Sequence, residues 1–91
     1  MAFDPLVEAI RSALRALDAN PRAAANYLAL IEAYEKCADK ESEPELLEQA
    51  TFVIRDAKTL SMSEAERQLL ATLEARVATT LFRLRDAGSR A

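Results

Sequence analysis

Residues 42–66 read SEPELLEQATFVIRDAKTLSMSEAE, and they contain two helix starts with one helix between them. Ser42-Glu43-Pro44-Glu45 and Ser63-Glu64-Ala65-Glu66 both match the capping box. In that motif a serine oxygen takes the amide of the residue three places on, and that residue's carboxylate reaches back to the serine's amide. Between the two starts Leu46, Leu47, Ala50, Val53, Ile54, Ala57 and Leu60 recur at three- and four-residue steps, the period of a helix with one apolar face.

The same punctuation continues towards both ends. Asp4-Pro5 and Asn20-Pro21 each put an N-cap oxygen before a proline at the first helical position, where the missing N–H costs nothing. Helices are therefore expected at 4–18, 21–39, 43–59 and 63–87, with Gly88 as the final stop. The first gathers Phe3, Leu6, Val7, Ile10, Ala13, Leu14 and Leu17 in one arc. The second spreads Ala23, Ala24, Tyr27, Leu28, Leu30, Ile31, Tyr34, Cys37 and Ala38 over about half its circumference, wide enough for two neighbours, and is expected at the centre. The fourth gathers Leu69, Leu70, Leu73, Val77, Leu81 and Leu84. Four apolar faces joined by short turns predict an all-α fold: one domain over 1–91, a small antiparallel four-helix bundle.

Composition agrees. The 91 residues are 51% apolar and 30% charged, with one Gly, no Trp and no His, which supports neither disorder nor a β-sandwich. One cysteine excludes an internal disulfide, and the absence of histidine removes the commonest acid–base catalyst and the commonest metal ligand. Neither an enzyme, nor a cofactor, nor a small-molecule substrate is expected. The net charge of −3 argues against nucleic acid and anionic membrane as partners. Glu8 and Arg11 interrupt the first apolar stretch, so no signal peptide or membrane span is expected and a cytoplasmic setting follows. Charge is unevenly spread. Residues 32–48 carry seven carboxylates against Lys36 and Lys40, whereas residues 76–91 carry Arg76, Arg83, Arg85 and Arg90 against Asp86 alone.

Tyr27, Leu30, Ile31 and Tyr34 resemble in spacing the first helix of a tetratricopeptide repeat, and Ala50, Ile54 and Ala57 its second. The interval between the two halves is about seven residues too long, and Ile31 stands where glycine is usual, so no function is carried over. A helix-turn-helix is equally poorly matched, because its recognition helix would open with Glu43, Glu45 and Glu48.

Three features are expected to matter for function. Phe52 falls outside its helix's core arc, among Glu45, Glu48, Arg55 and Asp56, and exposed aromatics are common anchors at binding sites. Ala71, Ala75, Ala78 and Phe82 form a second stripe on the last helix, away from Leu73, Val77 and Leu84. That helix is roughly 37 Å long against about 22 Å for the first, so Leu81, Phe82 and Leu84 are expected to project past their neighbour and to need a cover. Arg83 and Arg85 would supply rim contacts. The expected partner is another protein or a second copy of the chain, bound by a non-catalytic adaptor, assembly chaperone or oligomer subunit. A structural component of a larger assembly, such as a virion or secretion apparatus, is the alternative. An acidic mimic of nucleic acid, acting as an inhibitor or regulator, comes third.

Overall fold

The computed structural model describes residues 4–89, with side chains through Asp86; Phe3, assigned above to the first apolar arc, lies outside them. The described chain is all-α, with four helices: α1 (Pro5–Ala19), α2 (Ala24–Glu41), α3 (Pro44–Ala57) and α4 (Glu64–Ser89).

Each helix start follows from local chemistry, though not always as expected. Asp4 caps α1 by accepting the Leu6 amide at 2.9 Å, ahead of Pro5. The second capping box forms as expected, the Glu66 amide donating to Ser63 Oγ at 3.2 Å and the Ser63 amide donating to Glu66 Oε1 at 2.9 Å. The first does not. Glu43 precedes a proline, whose ring disfavours helical backbone in the residue before it, so Glu43 stays extended (φ −110°, ψ 93°) and itself becomes the N-cap, without a side-chain bond. Ser42 instead ends α2 in the left-handed region (φ 54°), its amide donating to the Ala38 carbonyl. Asn20-Pro21 is also reassigned. Asn20 ends α1, Pro21 and Arg22 make a turn, and α2 begins at Ala24, with the Asn26 side chain donating to the carbonyls of Ala16 and Asn20. Gly88 does not stop α4, which runs on to Ser89.

The core belongs to α2, α3 and α4. Leu28, Ile31 and Ala38 meet Leu47, Ala50, Ile54 and Ala57 from α3 and Leu70, Leu73 and Val77 from α4. As expected, α2 is central: it packs against each of the other helices, and α3 also packs against α4. The bundle is open on one side, because α1 packs on α2 alone. Ala13 is the buried residue of α1, while Val7 and Leu14 are 38% and 44% exposed. The result is a slab whose Cα atoms span 42 × 34 × 17 Å.

Ion pairs between helices give their directions. Glu35 and Asp39 of α2 meet Arg76 and Arg83 of α4, numbers rising together, so those two helices run parallel. Glu48 of α3 and Lys58 at its C-cap meet Arg85 and Glu74 of α4 in the opposite order, so α3 and α4 run antiparallel.

Candidate partner-binding surface

The expected surface residues divide into three groups. Ala78, Leu81, Phe82 and Arg85, with Asp86, line a shallow groove of about 500 Å³ on the last turns of α4. Phe82 is 76% exposed there. Ala71 belongs to a separate hollow of about 230 Å³ with Met62, Leu70, Lys58, Arg67 and Glu74, and Ala75 lies exposed between the two. On a helical wheel Ala71, Ala75, Ala78 and Phe82 do share one outward face, on the α3 side of α4.

Phe52 is 55% exposed on α3, with the Arg55 guanidinium carbon 5.7 Å from its ring centroid, within the range of a cation–π contact. It stands one helical turn after Glu48, which pairs with Arg85 of α4, and Phe82 stands one turn before that arginine. Both phenylalanines therefore belong to the α3/α4 side of the slab, although Phe52 does not line the groove.

The overhang is corrected. Leu81 and Leu84 are half-buried against the shared core, so the end of α4 does not project bare into water. Comparing its length with that of α1 chose the wrong neighbour, since α4 lies on α2 and α3. Both rim arginines are also engaged within the chain: Arg83 donates to Asp39 and Arg85 to Glu48, on opposite flanks of the helix. Arg83 thus points away from the Phe52 side.

These pairs answer the charge asymmetry of the sequence. Glu32 pairs with Lys36 on its own helix at 2.8 Å, and that hydrogen bond holds its carboxyl below the usual range. Glu35, Asp39 and Glu48 are matched by Arg76, Arg83 and Arg85. The basic end of α4 lies against the acidic stretch of α2 and α3 instead of being held out for a partner.

Sequence reasoning missed the polar centre of this seam. Glu35 is only 8% exposed; it accepts from Arg76 at 2.9 Å and, more weakly, from the buried Thr80 hydroxyl at 3.4 Å. The signal was present. Glu35 stands one and two turns after Ile31 and Leu28, and Thr80 stands at the matching steps after Val77 and Leu73, so a polar residue occupies a core position on each of two helices.

Among the described residues no three His, Cys, Asp or Glu side chains converge as a metal site, and no helix is long and apolar enough to cross a membrane. Compared with protein-family models, curated proteins and solved structures, the chain matches none significantly.

Proposed function

We propose that this protein is a non-catalytic helical interaction module, an adaptor, assembly chaperone or oligomer subunit, that binds another protein or a second copy of itself through the α3/α4 face. The observation carrying this reading is Phe82, a large aromatic left three-quarters exposed at the edge of an apolar groove, with the exposed Phe52 on the same side of the slab. Leaving a phenylalanine in water forgoes roughly 1.5–3 kcal/mol relative to burial, and aromatic anchors seated in a partner are the usual centres of binding energy. The small side chains of Ala71, Ala75 and Ala78 beside it suit close approach of a helix. A reducing cytoplasmic setting suits the single free thiol.

Light scattering coupled to size exclusion, at two concentrations about fiftyfold apart, tests this reading by mass action. The expected result is a mass above the 10.0 kDa of one chain, either rising with concentration or appearing when a host partner is added. Phe82→Ala should weaken the complex by about 2 kcal/mol, roughly thirtyfold, with helicity by circular dichroism unchanged. A monomer at both concentrations, together with identical partner retention by wild type and Phe82→Ala, would overturn it.

A further inference from the structure

A second apolar groove lies on the opposite side of α2 from α4. It follows from the open bundle: α1 and α3 both pack on α2 but not on each other, so a gap remains between them. Val7 and Ile10 of α1 and Leu46 of α3 form its walls, and Cys37 of α2, which is buried, lines it between them. Its volume is about 420 Å³, within the range of sites that hold a ligand-sized group. Leu14, exposed two turns beyond Val7, lies on the same face of α1.

The rim is acidic. Asp4, Glu41 and Glu43 line the groove. Asp4 is occupied with the Leu6 amide and lies 3.9 Å from Lys40. Glu41 and Glu43 differ from the acids nearer α4: both are exposed, and neither has a cation partner among the described residues. The field they create is already felt inside the groove. Burial pushes the Cys37 thiol above its usual range, and the carboxylates of Asp4, Glu41 and Glu43 push it further, against the opposing Lys40.

We infer that this groove receives a basic amphipathic segment of another protein, with a large apolar side chain seated over Cys37 between Val7, Ile10 and Leu46, and Lys or Arg beside it on Glu41 and Glu43. The apolar walls supply the anchor site, and the uncompensated carboxylates select a cationic over an acidic sequence. The surface is separate from the one around Phe82, and the inference does not depend on it.

The probe is a fluorescent amphipathic Leu/Lys peptide of about 15 residues, with a Leu/Glu peptide of the same pattern as its counterpart. Anisotropy should register binding of the Leu/Lys peptide and not of Leu/Glu, and amide shifts in a heteronuclear NMR spectrum should concentrate at residues 4–10 and 37–46. The double variant Glu41→Lys/Glu43→Lys, whose positions are exposed, should weaken binding by about tenfold or more, and Val7→Asp should do likewise. Asp18→Lys/Asp56→Lys, an equal charge change elsewhere, should leave it nearly unchanged, as should Phe82→Ala. Equal binding of both peptides, shifts spread over the whole surface, or equal losses from the two double charge variants would overturn the inference, as would failure of the Leu/Lys peptide to bind.

Discussion

Glu35 is the buried carboxylate among the described residues, and its surroundings decide what its loss would cost. Arg76 reaches it from α4 with a side chain that is itself about half exposed. Truncating Arg76 therefore leaves a carboxylate in the interior with only the Thr80 hydroxyl, whereas truncating Arg83 or Arg85 strands acids that water already reaches. Arg76→Ala should cost about 1–3 kcal/mol in urea unfolding, against roughly 0–1 kcal/mol for Arg83→Ala or Arg85→Ala, because only the first leaves a buried carboxylate without its cation. Equal losses for all three would mean that the seam is uniformly solvated. Residue exposure was legible in part: wheel position alone places Phe52 and Phe82 outside the core. It also places Leu81 and Leu84 on the core arc of α4, where they pack; only the length comparison with α1 left them bare, because which helices flank α4 is not written in the period of any single helix.

At the scale of the element, two identical Ser-x-x-Glu signatures end differently, and the reason is local. Ser63 follows an irregular connection and is free to cap; Ser42 follows directly on α2 and precedes Glu43-Pro44. Proline holds Glu43 extended, which makes Glu43 the cap and leaves Ser42 to reverse the chain with a positive φ. A left-handed backbone costs a residue bearing a Cβ about 1 kcal/mol that glycine avoids. Ser42→Gly is therefore expected to raise stability by roughly that amount in thermal or urea unfolding. An N-cap serine would show the reverse, a loss of a few tenths of a kcal/mol. The four helices and their approximate spans were legible because apolar period and punctuation reinforce each other. The Asn20 and Ser42 boundaries were not, because where one helix closes beside the next start, the same polar side chain suits either role.

For the whole molecule, wheel patterns identified α2 as the centre, since its apolar arc is too wide for one neighbour. They did not reveal the open side. A strongly one-sided α1 reads as one wall of a shared core, yet the core cluster draws on the other three helices and α1 rests on the far side of α2. With Ala13 its buried residue, α1 should form the least stable unit: its amides should exchange with deuterium under native conditions roughly tenfold or more faster than those at the middle of α2, by sub-global opening. Uniform protection over all four helices would contradict this. Drawn as a graph with helices as vertices and packed interfaces as edges, the molecule is a triangle of α2, α3 and α4 with α1 as a pendant vertex. The triangle offers two routes between any pair of its members, and the pendant offers one. Any perturbation received at α1 is thus relayed through α2 in series before it can alter the neighbourhood of Phe82, which makes α2 the cut vertex of the structure.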